Sequence, residues 1–138
     1  MPSISQLNVG DKASLSKTFT QDDVDAFAEI SLDKNPIHID EEAAKGSLFG
    51  KRVIHGILQA GLISAVLGNH IPGPGAIYRE QQLLFKKPAF PGDTLTAEVE
   101  IIEINKRIGM VICRTTLKNQ HGELLITGKA KGLVPKDK

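Results

Sequence analysis

The spacing of apolar residues changes along the chain, from a helical period in the first half to strand-like alternation in the second. Residues 20–31 carry the first helical signal, with Thr20 as the N-cap and Asp23 in the position that completes a capping box. Their apolar residues recur at helical spacing, which predicts one stripe buried against the rest of the fold. The stripe comprises Val24, Phe27, Ala28 and Ile30.

A second and longer helix is predicted from Gly56 to about Asn69. The run GILQAGLISAVLG is apolar over most of a helix circumference, which is typical of a helix in the protein interior. It is too short to span a bilayer, which takes about 20 residues. Between the two helices, residues 40–46 predict one or two helical turns, and residues 33–38 predict a loop because the proline disfavours helix before it.

Alternation of apolar and polar positions predicts antiparallel strands in the remainder of the chain. The alternation is strict from Leu95 to Ile101, and a change of phase after Ile101 predicts a bulge. These elements together indicate an α+β fold in which an antiparallel sheet wraps around one long buried helix. The strand candidates are residues 11–19, 76–90, 94–102, 109–117 and 123–134.

Composition narrows the possible partners. The 138 residues fit a single domain covering 1–138, and 41% apolar with 24% charged residues is typical of a globular protein. A net charge of +1 and the absence of tryptophan argue against a nucleic-acid or membrane partner. The N-terminus lacks the apolar core of a signal peptide, and a single cysteine, Cys113, excludes an intramolecular disulfide. A cytoplasmic location is therefore expected.

Several residues that often bind ligands lack the expected context here. The four histidines show no metal-ligand spacing, so no metal site is expected, and Cys113 on an alternating strand is interpreted as a buried small hydrophobe. Lys45, Lys51 and Arg52 form a modest basic cluster. A solvated face is the favoured interpretation, with contact to the phosphates of a nucleotide-like carrier as the alternative.

The stretch SLDKNPIHID at 31–40 carries the strongest chemical signal. A solvent-facing turn would explain Asp33, Asn35 and Pro36 taken singly. The same stretch pairs a carboxylate, Asp33, with an imidazole, His38, which are common acid–base partners near neutral pH. The rigid proline between them restricts where the two side chains converge, so we interpret them as a candidate acid–base pair.

Gly56 adds a third group to this pair. As the first residue of an apolar helix it offers unpaired backbone N–H groups and the positive end of the helix dipole, which can hold a developing oxyanion. A glycine also lets a ligand carbonyl approach the backbone closely. An acid, a base and an oxyanion donor are the groups needed for chemistry beside a thioester carbonyl, such as adding water to an activated double bond.

Residues 26–68, continuing through 72–101, closely resemble the MaoC-like hydratases, specifically the short (R)-specific enoyl-CoA hydratases. The resemblance lies in an Asp-x-Asn-Pro-x-His loop followed by His-Gly before an apolar helix. It implies a hot-dog fold, in which a five-stranded antiparallel sheet surrounds a central helix. It also implies a homodimer in which the two sheets become continuous.

The resemblance further implies reversible hydration of a trans-2-enoyl-CoA to the (R)-3-hydroxyacyl-CoA. Asp33 and His38 would activate the water, the amide of Gly56 would hold the thioester oxygen, and Asn35 and Ser64 would support the loop and orient His38. No metal or redox cofactor is implied, because coenzyme A is part of the acyl-CoA thioester substrate.

Two other functions stay open at this point. A hot-dog acyl-CoA thioesterase shares the architecture and substrate class, but many of these enzymes place a carboxylate on the central helix. Residues 57–68 contain no acidic side chain, which disfavours that alternative. A non-catalytic acyl-CoA-binding module would bind without turnover, and the pairing of Asp33 with His38 disfavours it.

Overall fold

The computed structural model describes residues 3–135, and a five-stranded antiparallel sheet is its largest element. The strands are β1 (Lys12–Thr18), β2 (Ile77–Phe85), β3 (Thr94–Asn105), β4 (Met110–Lys118) and β5 (Leu124–Leu133). They lie in the order β1-β3-β4-β5-β2, which leaves β1 and β2 at the edges. The predicted α+β architecture is confirmed, as is the predicted bulge, which falls between Ile101 and Glu103.

Four α-helices follow a short 3-10 helix at Ile4–Gln6. They are α1 (Gln21–Ser31), α2 (Pro36–Ile39), α3 (Glu41–Lys45) and α4 (Gly56–Asn69). The predicted cap of α1 is confirmed, because the Thr20 hydroxyl accepts from the Asp23 amide at 3.2 Å and the Asp23 carboxylate accepts from the Thr20 amide at 3.0 Å. None of the helices in residues 3–135 is long and apolar enough to cross a membrane.

Helix α4 packs against the sheet and closes the core. Its inward residues meet the alternating apolar residues of β3 and β4, which confirms the predicted central helix and the predicted strand phase. Burying one such aliphatic side chain contributes roughly 1.5–3 kcal/mol. The α4 residues in the core are Leu62, Ile63, Val66 and Leu67.

Two details of the predicted burial are wrong. Ile30 is 84% exposed because α1 lies on the outside and buries only the line through Val24 and Ala28. Ile30 lies two residues beyond Ala28, about 200° further round the helix. Helix α4 is also not enclosed on all sides, since Ile57 is 60% exposed and begins an exposed strip. That strip continues through Gly61, Ser64 and Gly68.

The predicted loop at 33–38 is wrong in part, because α2 begins at Pro36 and includes His38. Proline disfavours helix for the residue before it but is well suited to the first helical position itself. Asn35 caps the new helix, with its side-chain oxygen accepting from the Ile37 amide at 3.3 Å. His38 therefore lies on a capped helical turn rather than on an irregular loop.

The packing predicts that Ile63→Ala destabilises the protein by about 2–5 kcal/mol, because Ile63 is fully buried between α4 and the sheet. Ile30→Ala is the matched control and should change the free energy of unfolding by less than about 0.5 kcal/mol, since its side chain is in solvent. Urea denaturation followed by circular dichroism measures both. Equal losses for the two variants would contradict this description of the core.

Candidate active site

Asp33 is presented by a strained turn at the end of α1. Helix α1 stops at Ser31, and Leu32 then takes a left-handed conformation with φ 68°, which is unfavourable for a residue with a side chain. The Asp33 amide donates to the Ser31 hydroxyl at 3.1 Å, and one carboxylate oxygen of Asp33 accepts from the Asn35 amide at 3.3 Å. The turn thus fixes Asp33 at the mouth of a cleft.

His38 is hydrogen-bonded to the segment that precedes α4. Its Nδ1 lies 2.7 Å from the Val53 carbonyl oxygen, and because a carbonyl can only accept, Nδ1 carries the hydrogen. In the neutral ring, Nε2 is then an unprotonated acceptor. Burial lowers the pKa of His38, and His55 lowers it further, outweighing the opposing effects of the Val53 hydrogen bond and of Asp33. His38 is therefore neutral near pH 7.

His55 is a member of this site that the sequence reasoning missed. Only 2% of it is exposed, and its ring stacks on the His38 ring with centroids 3.8 Å apart. Its Nε2 donates to the Asp33 carbonyl at 2.9 Å. No spacing rule connects His55 with Asp33, and the signal in the sequence was its place in the His-Gly pair before the apolar helix, which carried the resemblance but gave His55 no role.

Gly56 begins α4 beside these rings. No acceptor for its amide hydrogen is found among the described residues, and the cap residue His55 makes no side-chain cap bond. The Phe85 ring at the end of β2 packs against Gly56 so closely that an added Cβ would collide with it. A side chain at this position would displace the Phe85 ring from its present place, and the Gly56 amide is left available to a ligand.

One cleft of about 440 Å³ brings these groups together. Asp33, His38 and Gly56 all line it, along with His55. One carboxylate oxygen of Asp33 and one nitrogen of each imidazole lie within 4.8 Å of one another, so the predicted acid and base lie side by side. Gln59, Lys86 and Lys87 add polar side chains, and the rest of the wall is apolar, principally Ile37, Phe49, Val53, Ile54, Ile57 and Phe85.

Asn35 and Ser64 take different places relative to the cleft. Asn35 does not line it but caps the helical turn that carries His38. Ser64 lies eight residues beyond Gly56 on α4, about 12 Å along the axis, and lines a separate cavity with Leu67 and Cys113. The structure therefore does not bring Ser64 to His38.

The other residues considered from the sequence lie outside the cleft. Cys113 is buried as predicted, and burial raises the pKa of its thiol to about 12, which leaves it unreactive. Lys45 pairs with Glu42 at 3.0 Å, and the Lys51 ammonium lies 4.1 Å from the centroid of the Phe90 ring. Lys45 and Lys51 thus already have partners on the surface.

Asp33, His38 and His55 also form a possible set of three metal ligands, which histidine spacing had not suggested. The two imidazoles are stacked with an angle of 27° between their planes. Ring nitrogens bind a metal that lies in the plane of the ring. The planes of these two stacked rings are close to parallel, so they do not meet at a point within bonding distance of both rings. This arrangement fits a shared hydrogen-bonded molecule better than a tetrahedral ion.

Comparison with known proteins agrees with this geometry. An (R)-specific enoyl-CoA hydratase of Rhodospirillum rubrum is 45% identical over 126 residues, covering 91% of this chain and 87% of that protein. The corresponding hydratase of Aeromonas caviae is 42% identical over 133 residues, covering 96% and 99%. A solved structure of the A. caviae (R)-hydratase, described as involved in PHA biosynthesis, matches with a TM-score of 0.90 and 43% identity over 94% of this chain and 98% of that one.

The fold and the sequence therefore give the same assignment. The sheet and its central helix form a hot-dog fold, as the resemblance implied. The family model of the MaoC like domain matches residues 6–123, which include every element that lines the cleft. The chain belongs to the MaoC-like domain family.

Proposed function

We propose that the chain is an (R)-specific enoyl-CoA hydratase, which adds water reversibly to a trans-2-enoyl-CoA and forms the (R)-3-hydroxyacyl-CoA. One observation carries this proposal: Asp33, His38 and the amide of Gly56 line a single cleft with apolar walls. Full-length similarity to (R)-specific enoyl-CoA hydratases supports the same activity.

Asp33 and His38 are suited to hold one water molecule between them. Two hydrogen bonds of about 2.8 Å from one water reach acceptors roughly 4.5 Å apart, and a carboxylate oxygen of Asp33 lies within 4.8 Å of a ring nitrogen of His38. Both acceptors are available when Asp33 is ionised and His38 is neutral with Nε2 unprotonated. The water then donates both hydrogens and directs an oxygen lone pair at C3 of the substrate.

Asp33 acts as the general base in this scheme, and His38 positions the water. The water oxygen forms a bond to C3 while one of its O–H bonds breaks and the proton passes to the base. The electrons of the C2–C3 double bond move toward the thioester, whose oxygen gains negative charge. The Gly56 amide hydrogen-bonds that oxygen, and the proton is then delivered to C2, so no other reactant is needed.

A homodimer is part of this proposal. β2 is an edge strand, and it exposes large apolar side chains at both of its ends that a monomer would leave in water. Phe85 is one of them and also lines the cleft, so pairing at β2 would enclose the site. These side chains are Ile77 and Tyr78 at the start of the strand and Leu84 and Phe85 at its end. A cytoplasmic location stays a prediction.

Asp33→Asn and His38→Gln should each lower the rate of hydration by at least a hundredfold, because each removes one of the two acceptors for the water. The loss of enoyl-thioester absorbance with crotonyl-CoA measures the rate. Asp22→Asn and His121→Gln make the same chemical changes at exposed positions and should retain the activity. Near-normal turnover in either site variant would contradict the two-residue site.

A thiol-trapping reagent added to the same assay separates hydration from hydrolysis. Hydration leaves the thioester intact, so no free coenzyme A should appear. Steady release of thiol together with an unchanged double bond would support the thioesterase alternative, and binding without either change would support a binding module.

Gly56→Ala should lower kcat by about a hundredfold or more, because the new methyl group meets the Phe85 ring and displaces the oxyanion donor. Gly61→Ala is the control on the same helix, where an added Cβ meets nothing within 4 Å. The control should keep its activity and gain about 1 kcal/mol of stability. Full activity of Gly56→Ala would remove Gly56 from the proposed mechanism.

The wild-type protein should sediment as a dimer, at twice the 14.9 kDa mass of the chain. Leu84→Glu should shift it toward the monomer, because burying the new carboxylate between two β2 strands would be unfavourable. Val9→Glu replaces an exposed apolar residue outside β2 and should leave the mass unchanged. A monomeric wild type at micromolar concentration would contradict the proposed dimer.

A further inference from the structure

His55 touches both proposed reactive residues, although its ring nitrogens play no part in the mechanism described above. Its Nε2 hydrogen is donated to the Asp33 carbonyl, and its ring lies against the His38 ring. The edge of Phe27 contacts it from α1, with centroids 4.8 Å apart. His55 therefore connects the end of α1, the turn α2 and the start of α4.

We propose that His55 is a positioning residue for hydration, which fixes the Asp33 backbone through Nε2 and supports the imidazole of His38 through its ring. The inference rests on hydration being the activity of this site. His55 does not itself have to touch the substrate, because each of its contacts acts through Asp33 or His38.

The hydrogen bond from His55 completes the hold on Asp33. The Asp33 amide is already fixed by the Ser31 hydroxyl, so the bond at its carbonyl restrains the second backbone group. Leu32, the preceding residue, is in the left-handed region, and such a conformation persists only where its surroundings stabilise it. Without the bond from His55 the turn is free to relax, and the carboxylate moves with it.

The ring of His55 also determines the environment of His38. The stacked ring excludes water from one face of the imidazole, and burial is the main reason that the pKa of His38 is lowered. The other titratable or charged groups along the cleft are Asp33 from the turn after α1, and Lys86 and Lys87 following β2. Of these, Asp33 opposes the lowering.

The second ring nitrogen of His55, Nδ1, is in an unfavourable environment. With the hydrogen on Nε2, Nδ1 of His55 is an acceptor, and it is buried without a partner among residues 3–135. A buried unsatisfied acceptor destabilises the fold, and such groups in native proteins call for a functional explanation. The contacts of His55 with the Asp33 carbonyl and the His38 ring, which fix these two residues relative to each other, supply that explanation.

A pair of variants isolates the hydrogen bond. His55→Gln places an amide nitrogen near the position of Nε2, whereas His55→Asn reaches only the position of Nδ1 and cannot span to the Asp33 carbonyl. Both lack the ring, so its loss affects them alike. With crotonyl-CoA, we expect His55→Gln to keep kcat within about tenfold of wild type, and His55→Asn to lose about a hundredfold in kcat with KM changed by less than about threefold.

The pH dependence of the His55→Gln variant provides the second readout. In the wild type, kcat/KM should fall as pH decreases through the His38 pKa, since protonation removes the acceptor at Nε2. This acidic limb should lie below the ordinary histidine pKa of about 6.5. Loss of the ring exposes His38 and removes the repulsion from His55, so the limb should move to higher pH in the variant.

The outcomes separate the inference from the proposed function. A wild type that does not hydrate crotonyl-CoA would refute the function itself. An active wild type with equal kcat in the two folded variants, or with a change in KM alone, would overturn the role of His55. If thermal melting shows that His55→Asn is unfolded, the dependence of kcat/KM on pH in His55→Gln is the deciding measurement. An acidic limb at higher pH than in the wild type supports the inference, and an acidic limb at the same pH overturns it.

Discussion

The hydrogen bond from His38 Nδ1 to the Val53 carbonyl is the contact on which the site depends. It selects the tautomer that leaves Nε2 as an acceptor, and it ties α2 to the irregular segment before α4. The Val53 amide donates back to the Ile37 carbonyl at 3.1 Å, and the next amide, of Ile54, donates to the Ala89 carbonyl in the connection between β2 and β3 at 2.9 Å. One short segment thus joins the acid–base turn to the β2–β3 connection and leads directly into Gly56.

This arrangement separates the residues that stabilise the fold from those that form the site. Apolar side chains of α4 and the sheet interlock in the core, while the strained turn at Leu32 and the stacked histidines lie at one end of the helix. Unfavourable local features are tolerated there because the core is large compared with their cost, which is of order 1–3 kcal/mol each. The rigid helix in turn supplies a fixed amide at Gly56.

Periodicity and capping predicted the elements because both depend on neighbours in sequence. Thr20 and Asp23 marked the start of α1, and strict alternation marked the buried face of β3. The burial of Ile30 was predicted wrongly because helical spacing does not report how much of a helix the rest of the fold covers. The loop predicted at 33–38 omits α2 because a proline that ends a helix before it can also start a new one.

The candidate site was predictable where its residues lie on one stretch or where a residue occupies a recognisable place in an element, as Gly56 does at the start of an apolar helix. Asp33, Asn35 and His38 lie on one stretch, so their types and spacing suggested a chemical role. His55 lies 22 residues from Asp33, and the two meet only because the sheet brings the start of α4 against the end of α1. Contacts of this kind depend on tertiary structure, and the place of Ser64 does too: the resemblance assigned it to this group, whereas Ser64 lines a separate cavity in this structure.

The position of the Asp33 carboxylate also determines which face of the substrate double bond the water can reach. α4 carries no acidic side chain from Ile57 to Gly68, so the acid of the cleft comes from the turn after α1, beside His38. A water held by both groups would reach the substrate from the part of the cleft wall that carries Asp33 and His38. If that one molecule supplies the hydroxyl to C3 and its proton returns to C2 from the same pair, both atoms add to one face of the double bond. A single stereoisomer follows from the placement of two side chains on one wall.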